Sequence, residues 1–391
     1  MRILYYYWGE NSKEDCVDAL LRLGHEVQVW TLPMENYTSD PIFSEKAEQM
    51  VSVFVKQGGG SACLFSFDYF PLLSEVALAS GLPYISWVYD SPHYTLESLT
   101  LGNPCNYVYI FDRSLEKHYR ELGVSAVHHM PLPVNVNRID RLLKEKNRGK
   151  LRYEHEICFL GSLYNDEYDF YEQIGYLPED LKTYLDDVIR VQGELIGKDV
   201  VSELLPAKMC DVLEKYVKAD LGPEFRNARD TIFQNMLRKK VTVNERQSLL
   251  MILGQRFSTD LYSGKEPPAD LPVRYCGTAD YHNEMPVVFS RSKINLNITL
   301  RSILTGIPLR VVDILGAGGF CLTNYQEELS EYFSDGKELA WFESKQEMLE
   351  KAEYFLAHDR ERECAAAAGR NAAERFFSYD VLLPKVFSNL C

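Results

Sequence analysis

The chain lacks the short motifs that mark the common nucleotide-using enzymes. A dinucleotide oxidoreductase needs G-x-G-x-x-G after its first strand. Here that turn reads Trp8-Gly9-Glu10-Asn11-Ser12-Lys13, with a single glycine. The Gly-Ala-Gly-Gly at 316–319 precedes an apolar run instead of following one. No G-x-x-x-x-G-K-[ST] occurs, which excludes a P-loop NTPase. No H-E-x-x-H occurs, and no two aspartates lie two positions apart, so the D-x-D metal motif of many sugar-transferring enzymes is missing. The histidines lack metal-ligand spacing, and on a strand the adjacent His128 and His129 point to opposite faces. No metal is therefore expected.

Other shortages narrow the class further. The formal net charge of −15 excludes a general electrostatic grip on nucleic acid. The nine cysteines include no C-x-x-C pair, and several, such as Cys158 and Cys321, sit in apolar runs as small hydrophobes. This usage fits a reducing compartment, and a cytoplasmic location is expected. No apolar run reaches the length of a membrane span. The first residues, MRILYYYWGE, read as a strand and not as a signal peptide. Arg138, Arg141, Lys144, Lys146, Arg148, Lys150 and Arg152 form a local basic run. It reads as a solvated linker face or as a patch that touches anionic lipid or an acceptor, so membrane contact is at most peripheral, at the inner membrane.

What is present is a regular alternation. Strand-like runs at 2–8, 26–32, 62–67, 84–88, 108–111 and 124–130 alternate with helical stretches at 14–23, 43–56, 72–80 and 115–122. After a linker near 132–152 the alternation restarts at 156–160. It breaks over a mostly helical insertion, 165–250, and resumes at 257–262, 273–276, 294–298, 320–323 and 338–342. Alternating strands and helices predict doubly wound parallel sheets. The expected organisation is an α/β domain over 1–137, a second over 153–378 with its insertion, and a final helix over 379–390.

Polar residues fall at the predicted strand ends, where open α/β sheets hold ligands. In the first half, Asp90 follows the strand 84–88, and there it is either a general base or a turn aspartate before Pro92. His93 is the rival base. In the second half, Gly161-Ser162 permits a close backbone approach to phosphate. Asn297 and Arg301 accompany the strand 294–298, and Arg301 offers either a planar fork for a diphosphate or a surface ion pair. Pro308 suits a helix start, so Arg310 and Asp313, three apart, share one face. Asp313 either holds ribose hydroxyls or pairs with Arg310 and locks the helix. Gly316, Gly318 and Gly319 end that helix before the strand that closes at Asn324. Tyr164, Tyr168, Tyr171 and Tyr176 at the start of the insertion are sugar-stacking faces or simple core.

Several stretches together resemble the CgeB-like bacterial glycosyltransferases: SWVYDSP (86–92), NYVYIFDR (106–113), HHMPLPVN (128–135), FLGSLYN (159–165), SKINLNITLRSI (292–303), GIPLRVVDILGAGGFCLTNYQEEL (306–329) and YFLAHDRERE (354–363). That family joins an N-terminal domain of unknown-function type to a group 1 glycosyltransferase domain. The resemblance implies a GT-B fold, two Rossmann-like domains facing across a cleft, with the final helix crossing back to the first. It implies a nucleotide-sugar as co-substrate, no further cofactor, and a glycan, lipid-linked or protein hydroxyl as acceptor. The donor would lie on the second domain with its ribose on Asp313, and the acceptor on the first. Thr305 stands where many retaining relatives carry the first of two acidic residues, and the basic pair after the first strand is missing from Gly161–Tyr164. Asp90 as base would fit inversion by direct attack. A nucleotide-sugar epimerase of the same fold and a non-catalytic nucleotide-sugar-binding subunit are the alternatives.

Overall fold

The structure, a computed structural model, describes residues 1–147, 153–164 and 170–390. The distal part of the basic run and Tyr168 lie outside the described residues. The chain divides into two compact units. The first comprises 1–135, 220–228 and 377–391, and the second 136–219 and 229–376.

The first unit is built on a six-stranded parallel sheet. Its strands are β1 (Arg2–Tyr6), β2 (Glu26–Trp30), β3 (Ala62–Phe67), β4 (Tyr84–Val88), β5 (Asn106–Ile110) and β6 (Val127–His129). Their spatial order is β2-β1-β3-β4-β5-β6. β1 and β4 are buried along their whole length, which is why they read as continuous apolar runs. Two of the helices that cover the sheet start on aspartate caps. Asp40 accepts from Phe43 N (2.9 Å) ahead of Pro41–Lys56, and Asp112 accepts from Ser114 N (2.9 Å) ahead of Arg113–Glu121. The last strand is shorter than the run 124–130 because Gly123 N and Val124 N bond back to Arg120 and Tyr119 carbonyls, closing the preceding helix. The helix Tyr379–Phe387 packs in this unit, where Tyr109 Oη donates to Val386 O at 2.6 Å.

The second unit repeats the plan with β7 (His155–Leu160), β8 (Thr259–Tyr262), β9 (Arg274–Tyr275), β10 (Ser292–Asn297), β11 (Cys321–Asn324) and β12 (Ala340–Phe342), in the order β12-β11-β10-β7-β8-β9, all parallel. The helix Leu309–Gly316 ends as its glycines predict. Gly318 takes φ +71°, and a Cβ on Gly319 would lie 2.6 Å from Asn295 Nδ2, so no larger residue fits there. The insertion has its own apolar core, in which Leu181, Leu185 and Ile189 pack with Phe233, Leu237 and Val241 of the long helix Arg229–Gly254.

In each sheet the winding reverses beside the strand that begins the unit, β1 in one and β7 in the other. Loops leaving the carboxyl ends of the strands on either side of that reversal leave a crevice for ligands. Among the described residues, no helix is long and apolar enough to cross a membrane.

Candidate functional site

In the second unit, the turn after β7 passes through Gly161 and Ser162, and helix Leu309–Gly316 places Arg310 against it. A Cβ on Gly161 would sit 3.7 Å from Arg310 Nη1. Arg310 Nε and Nη1 are buried and have no hydrogen-bond partner among the described residues. Burial lowers the pKa of this guanidinium, and the negative charge of Asp313 opposes the shift. Asp313, one turn further along, is buried and accepts from Tyr281 Oη at 3.3 Å.

A second arginine joins the first. Arg246, inside the helix Arg229–Gly254, donates to the carbonyls of Ser162 and Ile298, the latter at 2.6 Å. Its guanidinium lies 4.7 Å from the ring centre of Tyr164. Burial pulls its pKa down to about 10, and the charge of Arg310 pushes the same way. Its Nε is also buried without a partner among the described residues. Three buried N–H groups with no acceptor, on two cations that repel each other, cost roughly 1–3 kcal/mol apiece. An acceptor group within reach of both guanidiniums would relieve that cost.

The other residues expected at this end of the sheet have different partners. The Arg301 guanidinium, expected on a diphosphate or a surface carboxylate, is buried and forks onto Glu245 through Nε (2.9 Å) and Nη2 (2.8 Å). Its backbone N–H goes to Thr242 Oγ1. The pair braces the helix Arg229–Gly254 against the loop after β10. Glu245→Ala leaves that guanidinium buried and unpaired, and is expected to cost about 3–5 kcal/mol in urea unfolding. Asn297 donates to Thr299 and Thr323 hydroxyls, and Asn324 Oδ1 accepts from Thr299 N (2.7 Å), so both stitch strand ends together. Ser162 Oγ accepts from Tyr164 N (2.9 Å), which shapes the turn. Thr305 donates to Glu328 Oε1 (3.0 Å), so a carboxylate from the next loop lies beside the position where the motif lacks one.

In the first unit, the loops after β1, β2, β3 and β4, with residues of the 220–228 segment, surround a cavity of about 610 Å³. Asp90 opens onto it, with His93 and Asp68 beside it. One ligating atom from each of the three lies within 4.8 Å of the others. Asp68 follows β3 directly with φ +56°, a left-handed conformation that aspartate tolerates. Its Oδ1 accepts from Tyr89 N (3.1 Å) and Asp90 N (3.3 Å), while its Oδ2 is buried with no partner among the described residues. Burial lifts Asp68 to about 7. Desolvation and then the charge of Asp68 lift Asp90 to about 6. Burial lowers His93, whose Nε2 accepts from Tyr69 N at 3.1 Å. Asp90 and Asp68 are thus two adjacent carboxyls raised toward neutral pH, and His93 is hydrogen-bonded to backbone.

Asp68 and Arg246 escaped the sequence reading. Arg246 had one usable signal: it shares helical spacing with Leu249, Leu250 and Leu253, so a charge stands in an apolar stripe.

Comparison with known proteins adds two sequence matches and a fold. Residues 234–383 match the family model described as glycosyl transferase-like. The spore protein CgeB of Bacillus subtilis (strain 168) is 23% identical over 151 residues, a match that spans 39% of this chain and 44% of that protein. The similarity to CgeB-like glycosyltransferases is borne out by these matches. Among solved structures, sucrose-phosphate synthase from Thermosynechococcus elongatus has a TM-score of 0.52 at 11% identity, over 100% of this chain and 99% of that one. A glycosyltransferase from Rickettsia africae ESF-5 has a TM-score of 0.50 at 11% identity, over 99% and 97%. The architecture is GT-B, two α/β units each with a doubly wound parallel sheet.

Proposed function

We propose that the protein transfers a sugar from a nucleotide-sugar donor to a hydroxyl acceptor. The observation that carries this reading is the pair of buried arginines, Arg310 and Arg246, with unpartnered N–H groups at the Gly161–Ser162 turn. A diphosphate supplies the charge and the acceptor oxygens they need. Asp313, one helical turn from Arg310, takes the ribose hydroxyls. The glycosyl transferase-like match over residues 234–383 supports the same reading.

The acceptor oxygen bonds to the anomeric carbon as the bond from that carbon to the diphosphate oxygen breaks. The hydroxyl proton passes to Asp90, and the nucleoside diphosphate leaves with the electron pair of the broken bond. The two guanidiniums meet the charge that grows on the leaving group, already oriented and shielded from water. This version inverts the anomeric centre and needs no metal. The acceptor is a glycan, a lipid-linked intermediate or a protein hydroxyl.

The test is a panel of UDP-, GDP-, dTDP- and CMP-sugars, each incubated alone and with acceptor preparations. Nucleotide release that depends on acceptor and persists in chelator is expected. Conversion of the donor to an epimer without acceptor would replace the reading with an epimerase. Nucleotide-sugar binding without turnover on any acceptor would replace it with a non-catalytic binding subunit.

A further inference from the structure

The cavity of the first unit is walled in part by residues that the sheet of that unit does not supply. Residues 220–228 interrupt the second unit in sequence, within the stretch read as an insertion, yet they cluster with the first unit. They are tied there by backbone. Leu99 N donates to Glu224 O (3.0 Å) and Arg226 N to Glu97 O (2.8 Å), on either side of an antiparallel bridge between Ser98 and Phe225. Arg226 Nη1 adds a bond to Ser98 O (3.1 Å). Leu221 and Phe225 of this strap line the same cavity as Asp90 and His93.

The rest of the lining has a distinct chemistry. Trp8, Tyr37, Phe70 and Tyr94 give it broad aromatic faces. Trp8 is fixed by its Nε1 donating to Phe67 O (3.1 Å) and by stacking near Tyr89. Between the rings stand Asn36, Thr38 and Thr95, which suit hydroxyl groups. The charged members are acidic: Glu35, Asp68 and Asp90. Among the described residues the lining has no lysine or arginine, and burial lowers His93 and so favours its neutral form. Rings with interspersed hydrogen-bonding groups match the alternating apolar and hydroxylated faces of a sugar. Carboxylates without a cation repel phosphate, diphosphate and uronate groups.

We propose that this cavity is a site for an uncharged carbohydrate, and that Leu221 and Phe225, delivered by the strap, select which carbohydrate it admits. The inference deepens the acceptor half of the transferase reading and rests on it for the role of the bound sugar. Among acceptor chemistries it favours a neutral glycan end over a lipid diphosphate.

The experiment is titration of the full chain, followed by tryptophan fluorescence, with maltotriose, cellotriose, chitotriose and the methyl glycosides of glucose, galactose and mannose. Glucuronic acid and farnesyl diphosphate are the anionic probes, and Trp8→Phe assigns the signal. At least one neutral saccharide is expected to bind saturably, with little response to salt. Phe225→Ala is expected to weaken it roughly tenfold or more. Leu221→Ala should reorder preference within the panel, and Phe225→Leu, which keeps apolar bulk, should fall between wild type and Phe225→Ala. Thermal melts of each variant confirm folding. Tighter binding of the anionic probes, or a Phe225→Ala affinity within twofold of wild type, would overturn the proposal. If no neutral saccharide binds while nucleoside diphosphates do, this inference fails and the transferase reading stands. If neutral saccharides bind and no nucleotide does, the transferase reading fails and the carbohydrate site stands.

Discussion

Replacing Asp90 by asparagine is expected to lower kcat by roughly 10²–10⁴-fold, the usual contribution of a positioned general base. Nucleotide affinity should not change, because the residues assigned to the donor all belong to the second unit. Asp68 holds the loop by accepting from the backbone of both Tyr89 and Asp90. The same neighbour, together with desolvation, raises the Asp90 carboxyl to about 6. A carboxylate with an ordinary pKa would be a poorer base, and one raised much further would stay protonated. The sign of the pH dependence follows directly. The ionised form accepts the proton, so kcat/KM should rise with pH through about 6 and fall away below it. Asp68, lifted to about 7, gains its own charge over the adjoining range and opposes ionisation of Asp90. The acidic limb should therefore be broad and belong to the pair of carboxyls and not to one of them. In Asp90→Asn that limb should vanish along with the rate. A rate near wild type in Asp90→Asn at saturating substrate would remove the base role, and His93, held by Tyr69 N, is not positioned to inherit it.

Replacing Arg310 by alanine is expected to weaken nucleoside diphosphate binding by about 2–5 kcal/mol, the cost of truncating one partner of a buried charged hydrogen bond. It should do so without lowering the thermal midpoint of the unliganded protein. The two readouts together separate the site from its bland alternative. If Arg310 merely paired with Asp313 to lock the helix Leu309–Gly316, its loss would destabilise the fold. The structure instead leaves Arg310 Nε and Nη1 buried without acceptors, and burial outweighs Asp313 in setting its pKa. Removing a buried guanidinium whose Nε and Nη1 have no acceptor among the described residues should leave the unliganded fold as stable as before, or more so. Calorimetric titration and a thermal melt of the same variant check both halves. Unchanged affinity with a lowered midpoint would assign Arg310 to the helix and not to the ligand.

The fold was legible because its central strands are largely buried and several of its helices start on an aspartate cap or a proline. β1 and β4 appear in the sequence as mainly apolar runs, and Gly318, read as ending its helix, takes a left-handed φ of +71°. Arg310 and Asp313 were legible because helical spacing alone puts them on one face. The rest of the site depends on partners brought together by topology. Arg246 lies 84 positions from the Ser162 carbonyl it binds, and Glu245 lies 56 from Arg301. No local pattern distinguishes an arginine that forks onto a buried glutamate from one left open to a ligand, and so Arg301 read either as a fork for a diphosphate or as a surface ion pair. Asp68 was hidden for another reason. Its role depends on a positive φ immediately after β3 and on backbone N–H groups from the loop after β4. The strap at 220–228 lies in a helical stretch by composition, and its antiparallel bridge to Ser98 is a long-range pairing.

The most direct measurement is calorimetric titration of the wild-type chain with UDP, GDP, dTDP and CDP, each against its own nucleoside. One nucleoside diphosphate is expected to bind saturably, one per chain, and far more tightly than its nucleoside, because the buried arginines grip the diphosphate. A nucleoside that binds as tightly as its diphosphate, or no binding by any of the four, would contradict the account.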